Sequence, residues 1–400
     1  MTILLFLLIL GILVLAHEWG HFFSARKFGM KVHEFGIGFP PRLFGIYQDP
    51  KTKKRIIVWG KGKSNLKNTV SGKEKQDEGE FPATLYSLNL LPLGGFCQIK
   101  GENGEKSTKG GSVLVGEEES DSFGTKKAWQ KIIVLAAGVT MNFILAGIIL
   151  GIGLMIGLPA DFSGGVDDKA IVVEEPSIVI QQVVESSPAE NSGLVYGDKI
   201  LFLDDQKINT TQELNNYIGA SEGREITAKI FRQGEELNLN IQAEKNENDN
   251  YMIGVIIAEA GIVRYPWYIA IYKGFVAAFF VLINIFIAFY YLLKNLILGN
   301  GMMFDVSGPV GIVNLVGESA RLGFNYVLNL TAMLSLSLAA INILPIPALD
   351  GGRIFFILIG KIKGSPVKQK YESLAHTIGF MFLMVLIVLV TWRDIMHLFN

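Results

Sequence analysis

Long apolar segments dominate the hydrophobic pattern of this 400-residue chain. A helix of about 20 apolar residues is long enough to cross the hydrocarbon core of a bilayer. The pattern therefore predicts a polytopic α-helical membrane protein with about four transmembrane helices. The predicted spans occupy residues 1–25, 131–157, 326–352 and 373–393.

Two long polar regions separate these segments, and one of them has a β-strand pattern. Apolar positions alternate through residues 170–260, which predicts several strands and an inserted β-rich domain. Within it, Thr210 or Thr211 is expected to cap a helix that runs through residue 219, with Glu213 completing a capping box.

The other polar region, residues 26–130, is rich in lysine and contains a polar insertion at 48–80. After the insertion, residues 81–101 have the pattern of two short strands joined by a turn that contains Gly94 and Gly95. We expect a small membrane-associated β-hairpin here. The alternative is a hairpin with no role beyond packing.

Composition narrows the classes of function that fit the chain. Half of the residues are hydrophobic, 18% are charged and the formal net charge is −1. These values exclude an ordinary soluble domain and give no indication of a nucleic-acid partner. The single cysteine, Cys97, excludes an intramolecular disulfide framework and a cysteine-rich metal site.

The first apolar segment contains the pentapeptide HEWGH at residues 17–21. Ionisable groups at membrane depth are costly without partners, so they are candidates for function. On a helix, His17 and His21 face the same side and can bind one zinc ion, with Glu18 beside it as a general base. No basic segment precedes the apolar run and no cleavage site follows it, which favours a retained helix over a signal peptide.

A catalytic zinc ion normally has three protein ligands, so one more must come from elsewhere in the chain. The candidates are His33, His376, His397 and Asp350. Asp350 follows an apolar helix in the segment NILPIPALDGG, where two prolines end the regular helix and two glycines permit close backbone approach. A carboxylate there has no ordinary surface role, so Asp350 is the favoured third ligand.

These residues predict a zinc metalloprotease. Zinc would activate water and polarise the scissile carbonyl, Glu18 would transfer the proton, and the Asn342 amide would help to stabilise the oxyanion. A strand edge at Gly94 and Gly95 would hold an unwound substrate by β-addition. Asn142 is either an interhelical hydrogen-bond partner or a site residue, and the first interpretation is favoured.

Lysine distribution orients the predicted spans. Lysine accumulates in residues 26–130 and between the last two spans, and basic loops favour the cytoplasmic side. The N-terminus and the β-rich domain are therefore expected outside. His17 and Asp350 must lie at the same depth, so their two helices must both run from outside to inside. The chain between these helices can then make only one net crossing of the membrane. The apolar stretch at 267–298 is accordingly assigned, with the rest of residues 261–325, to interfacial or amphipathic helices.

Two other classes of function compete with a protease. An inactive membrane scaffold would bind peptides through its soluble domain and would need no Glu18. A zinc transporter would need charged residues along several helices, whereas only Asp350 and the HEWGH segment qualify.

The chain resembles, over most of its length, the site-2 protease family of intramembrane zinc metalloproteases, specifically the bacterial regulator of sigma-E protease type. The segment SSPAENSGLVYGD within the β-rich domain is similar to a PDZ signature. The segments that carry the family resemblance are HEWGHFFSARKFGMKVHEFGIGFPP at 17–41, LPLGGFCQIKGE at 91–102, AAGVTMNFILAG at 136–147, SGPVGI at 307–312 and NILPIPALDGGR at 342–353.

The resemblance implies regulated intramembrane proteolysis. A single-span membrane protein, such as an anti-sigma factor or a remnant signal peptide, would be shortened by another protease and then cut within its transmembrane segment. The resemblance assigns His17, His21 and Asp350 to one zinc ion per chain and Glu18 to catalysis. It also implies that Asn342 and the glycine hairpin handle substrate, and that an extracytoplasmic PDZ-like domain excludes uncut substrates at the cell inner membrane.

Overall fold

The computed structural model describes residues 1–60, 81–102, 120–162, 167–184, 186–232, 234–246, 249–299 and 307–399. From residue 61 onward, the predicted polar insertion lies outside the described residues. The chain divides into two compact units, each described here by itself. The first unit is Met1–Gly147, Ala278–Val316 and Thr331–Asn400, and the second is Ile148–Ala277 and Gly317–Leu330.

The first unit begins with a long apolar helix, a small antiparallel sheet and a second long helix. The sheet has the strand order β2-β1-β3. A shared core of apolar side chains, which includes Phe22, Phe35 and Leu135, joins the helices to the sheet. The elements are α1 (Thr2–Lys27), β1 (Val32–Gln48), β2 (Arg55–Trp59), β3 (Leu85–Ile99) and α2 (Ala128–Ile156).

Strand β3 corrects the prediction of a self-contained hairpin at 81–101. Its chain bends at Gly94, which has φ +132°, and both Leu88 and Gly95 lie opposite Ile37 of β1. The glycine turn is therefore a bend within a strand that pairs with β1. The alternation pattern could not identify this partner because it lies about fifty residues earlier. Part of the polar insertion is also a strand, since the β-branched and aromatic sequence RIIVW forms β2.

The second unit is built around a seven-stranded antiparallel sheet. Its path has the order β4-β12-β5-β6-β8-β9, with β7 beside β6, while β10 and β11 pair separately. The elements are β4 (Leu158–Asp161), β5 (Ile171–Val183), α3 (Pro188–Asn191), β6 (Lys199–Leu203), β7 (Gln206–Lys207), α4 (Thr211–Ala220), β8 (Glu225–Arg232), β9 (Glu235–Gln242), β10 (Glu244–Lys245), β11 (Tyr251–Met252) and β12 (Val255–Arg264).

Local sequence explains much of this unit. The prediction of a capping box is confirmed: the Thr210 side chain accepts a hydrogen bond from the Glu213 amide, and Glu213 bonds back to the N-cap backbone. Alternate residues such as Ile178, Ile180 and Ile230 are buried in its core. The β-rich domain is larger than residues 170–260, because β4 and the end of β12 extend the sheet.

A buried ion pair connects β8 to the loop before β6. Asp198, whose side chain is fully buried, accepts hydrogen bonds from Arg232 Nε and Nη2, each at 2.6 Å. The Val195 amide donates to the same carboxylate at 2.9 Å. Bidentate pairing of this kind satisfies the buried carboxylate, while the Arg232 side chain stays partly exposed.

Replacing Asp198 with alanine is expected to destabilise the β-rich domain by about 3–5 kcal/mol, because Arg232 would keep a charge without its partner. Limited proteolysis of the full chain in detergent at increasing urea concentration would measure the loss. Glu236→Ala is the control: it removes the partner of the exposed Lys229, and its expected cost is below about 1 kcal/mol. Equal losses in the two variants would contradict the assigned role.

The C-terminal part of the chain is helical. Its elements are α5 (Trp267–Leu298), α6 (Pro309–Leu322), α7 (Phe324–Ile343), α8 (Asp350–Lys363) and α9 (Gln369–Phe399). Among the described residues, five helices are long and apolar enough to cross a membrane, namely α1, α2, α5, α7 and α9. The chain is a multi-pass membrane protein, and the predicted count of four spans is not confirmed.

Helix α5 is long and apolar enough to be a fifth candidate span, whereas the sequence analysis assigns 267–298 to an interfacial helix. It contains 32 residues, and none of residues 279–294 is buried in the described structure. Asn284 is the one polar residue within 279–293. An interfacial helix needs a strongly polar face, whereas α5 is apolar around its whole circumference. The interfacial assignment rests on the shared depth of His17 and Asp350, and it stays a prediction.

Candidate metal and catalytic site

Helices α1 and α2 approach closely where the histidines lie. A Cβ added to Gly20 would be 2.3 Å from the Ala137 carbonyl oxygen, so only glycine fits at this contact. Small residues permit such backbone contact between membrane helices. One residue further along α2, a Cβ on Gly138 would be 2.5 Å from His21 Nε2 and 2.8 Å from His17 Nε2. Gly138 therefore leaves open the space beside both ring nitrogens.

The structure brings His17, His21 and Asp350 together. The two Nε2 atoms are 3.1 Å apart, and Asp350 Oδ2 lies 3.0 Å from His17 Nε2 and 3.2 Å from His21 Nε2. Donor atoms bound to one tetrahedral zinc ion are separated by about 3.3 Å. Two buried imidazoles and one carboxylate at these distances therefore have the composition and spacing of a three-ligand zinc site.

A backbone hydrogen bond sets the orientation of His21. Its Nδ1 lies 2.8 Å from the Val134 carbonyl oxygen on α2. Because a carbonyl can only accept, Nδ1 carries the proton, and Nε2 presents a lone pair toward His17 and Asp350. Metal-bound histidines are commonly fixed through the other ring nitrogen in this way. His21 thus fits zinc in protonation as well as in spacing.

The loop between α7 and α8 positions Asp350 at the start of α8. A Cβ on Gly351 would lie 2.2 Å from the Leu344 carbonyl oxygen, which explains the need for glycine directly after the aspartate. Ala348 adopts φ +81°, and its amide donates to His376 Nδ1 on α9 at 2.7 Å. His376 therefore supports the loop that carries Asp350, a role that the sequence analysis did not identify.

The other candidate ligands take different positions. His33 is half-buried in β1, and the side chain of His397 lies outside the described residues. Asn342 is half-buried in the last turn of α7. Within the part of the chain that the structure describes, Asn342 forms no hydrogen bond with the three converging side chains.

The bend of β3 lies beside Glu18. A Cβ on Gly94 would contact Val14 at 3.4 Å, and a Cβ on Gly95 would lie 3.8 Å from Glu18 Cγ. Among the described residues, β3 is at the edge of its sheet. The structure therefore brings the glycine pair, a strand edge and Glu18 to one side of α1.

A second ion pair near the site was not anticipated from the sequence. Glu102, which follows β3, binds Arg353, one turn after Asp350 on α8. Burial raises the pKa of the Glu102 carboxyl group, and the nearby Arg353 guanidinium opposes that shift. The pair joins the end of the sheet to the helix that begins with Asp350. Its only sequence signal is the presence of opposite charges in the two segments LPLGGFCQIKGE and NILPIPALDGGR.

Comparison with known proteins identifies the family. The sequence profile of peptidase family M50 matches residues 5–62 and 77–386. The chain belongs to peptidase family M50. It is a zinc metalloprotease of the site-2 protease family, so the predicted resemblance and the predicted zinc cofactor are confirmed.

Curated relatives match the whole chain. A Clostridium perfringens protein whose name describes a zinc metalloprotease is 34% identical over 397 residues, which cover 99% of this chain and 98% of that protein. The regulator of sigma-W protease RasP of Bacillus subtilis is 28% identical over 444 residues, covering 100% of this chain and 99% of RasP. The zinc metalloprotease RasP of Oceanobacillus iheyensis is 27% identical over 477 residues, covering 100% and 99%.

Solved structures of PDZ domains match about a fifth of this chain. The match to the PDZ domain of an SdrC-like protein from Listeria innocua covers 20% of this chain and 92% of the Listeria chain, with 23% sequence identity and a TM-score of 0.19. The assignment of a PDZ-like domain therefore stays a prediction from its sequence signature.

Proposed function

We propose that this zinc metalloprotease cleaves peptide bonds within the transmembrane segments of single-span membrane proteins. In this proposal His17, His21 and Asp350 are the zinc ligands and Glu18 is the catalytic residue. The observation that supports it most directly is the convergence of the three donor atoms between helices long and apolar enough to span a membrane. A soluble substrate would have little access to such a site.

The ligand residues and Glu18 divide the chemistry. Bound zinc would supply Lewis acidity, which lowers the pKa of water and polarises a carbonyl. Glu18 accepts the proton of the attacking water and returns one to the leaving amine. The half-buried position of Glu18 on α1, beside Gly95, leaves it accessible to a substrate backbone in an otherwise apolar environment.

The substrate must be unwound before cleavage, because a transmembrane helix keeps its carbonyl groups in internal hydrogen bonds. We assign this task to the edge of β3 near Gly94 and Gly95, which would add the unwound segment as a further strand. Asn342 is proposed to contact the same segment at the end of α7. The short distance between Gly95 and Glu18 supports this path, since it would deliver the scissile bond to the general base.

Membership of the family supports a proposal for the physiological setting. We propose a location in the bacterial inner membrane, with the PDZ-like domain outside the cytoplasm, where it would exclude substrates that another protease has not yet shortened. The name of the B. subtilis relative, a regulator of sigma-W protease, supports an anti-sigma factor as one substrate class. Remnant signal peptides have the same single-span form and are the other.

Cleavage in defined proteoliposomes tests the proposed function. Purified full-length protein with zinc would be reconstituted with a single-span reporter whose soluble domains are short, and the products would be mapped by mass spectrometry. We expect the native protein to cut the reporter within its transmembrane segment. The Asp350→Ala variant is expected to cut nothing and to lack stoichiometric zinc. A cut confined to soluble segments would refute intramembrane cleavage. A zinc-loaded protein that cuts nothing would favour a scaffold.

A further inference from the structure

Asn142 is a fully buried polar residue on α2, one helical turn after Gly138. Its side-chain Nδ2 lies 3.5 Å from His17 Nδ1, while its Oδ1 is buried without a hydrogen-bond partner among the described residues. A buried polar atom without a partner costs free energy and calls for an explanation. The other contact of the residue does not explain it, because the Ser335 hydroxyl donates to the backbone carbonyl of Asn142.

The chemistry of His17 supplies the explanation. When His17 binds a metal through Nε2, its ring is neutral and Nδ1 must carry the proton. That N–H then needs an acceptor, and Nδ2 of Asn142 cannot accept. A half-turn of the Asn142 carboxamide exchanges its two terminal atoms and brings Oδ1 to the position beside His17 Nδ1. The same rotation gives Oδ1 a partner, and Nδ2 then takes the position that Oδ1 held.

We propose that Asn142 is the positioning residue of His17: its Oδ1 accepts the His17 Nδ1 proton and thereby holds the Nε2 lone pair toward the metal. The inference rests on the proposed metal site. Each histidine is then held in the same way, through a hydrogen bond from its Nδ1 to an acceptor on α2. The acceptor is the Val134 carbonyl for His21 and the Asn142 carboxamide for His17. Helix α2 thus orients both imidazoles while contributing no ligand itself.

Zinc affinity of the full-length protein tests the proposal. Asn142→Leu keeps the approximate volume and removes the acceptor, and we expect it to weaken zinc binding about 10- to 100-fold in competition with a chelator. Asn142→Asp keeps an acceptor in the same place and is expected to retain affinity close to that of the native protein. Asn142→Ala provides a second acceptor-free variant in case the leucine side chain disturbs the helix contact.

Thr140→Val is the matched control, because Thr140 is exposed two residues earlier on α2 and bonds only to the Ala136 carbonyl. Its zinc affinity should not change. The proposal is overturned if the leucine and alanine variants bind zinc as tightly as the native protein, or if the aspartate variant loses as much affinity as they do. If the native protein binds no zinc, the metal site itself fails, which is a separate outcome.

Discussion

Replacing Gly138 with alanine is expected to eliminate zinc binding and, with it, proteolysis. The added methyl group would lie 2.5 Å from His21 Nε2 and 2.8 Å from His17 Nε2. It would thus occupy the region where the lone pairs of both rings converge. The His21 ring cannot easily retreat, because its Nδ1 is hydrogen-bonded to the Val134 carbonyl oxygen of the same helix α2 at 2.8 Å. Metal analysis of the purified variant should fall from about one zinc ion per chain to near zero.

Gly11→Ala is the control for this experiment. Gly11 is on α1, and an added Cβ there would meet no atom within 4 Å. The control should keep its zinc and its activity, which would show that a methyl group in a membrane helix is harmless in itself. Stoichiometric zinc in the Gly138→Ala protein would mean that the metal is held elsewhere, and the proposed ligand set would be wrong.

Glu18→Gln is expected to separate catalysis from metal binding. Glutamine has the shape of glutamate but cannot accept the proton of the attacking water, so the cleavage rate should fall by about 10²- to 10⁴-fold. Zinc content should stay at the native level, because Glu18 lies outside the cluster of converging donor atoms. Single-turnover cleavage of a single-span reporter in proteoliposomes would measure the rate.

Glu175→Gln makes the same chemical change at an exposed position of β5 and should leave the rate unchanged. Two results would contradict the role given to Glu18. A native rate in Glu18→Gln would require another general base, and a loss of zinc in that variant would make Glu18 a metal-site residue. Accumulation of uncut reporter bound to the variant would strengthen the assignment.

The sequence was most informative where one local feature determines the chemistry. The spacing of His17 and His21 on an apolar helix predicted that they share a face, and the residues around Thr210 predicted a capping box. Both depend on contacts within one helical turn. The convergence of Asp350 with the histidines was also predicted, although only because a carboxylate at that depth has few other uses.

Features that depend on distant packing were missed or misassigned. No local pattern shows that Gly138 faces the imidazoles, or that His376 accepts a hydrogen bond from Ala348, because each contact joins separate helices. The pairing of β3 with β1 is likewise a long-range choice that alternation cannot specify. The assignment of α5 as an interfacial helix stays a prediction, because it rests on a topological argument that opposes a strong hydropathy signal.

The separation of the converging side chains along the chain has a consequence for biosynthesis. Asp350 lies 333 positions after His17, so the ribosome releases both histidines long before it makes their acidic partner. If Asp350 is the third zinc ligand, as proposed, the nascent polypeptide holds an incomplete ligand set until α8 has packed beside α1. Under the proposed ligand set, a newly inserted copy would be unable to attack neighbouring helices at the translocon, and hydrolytic competence would arrive only after Asp350 has been synthesised.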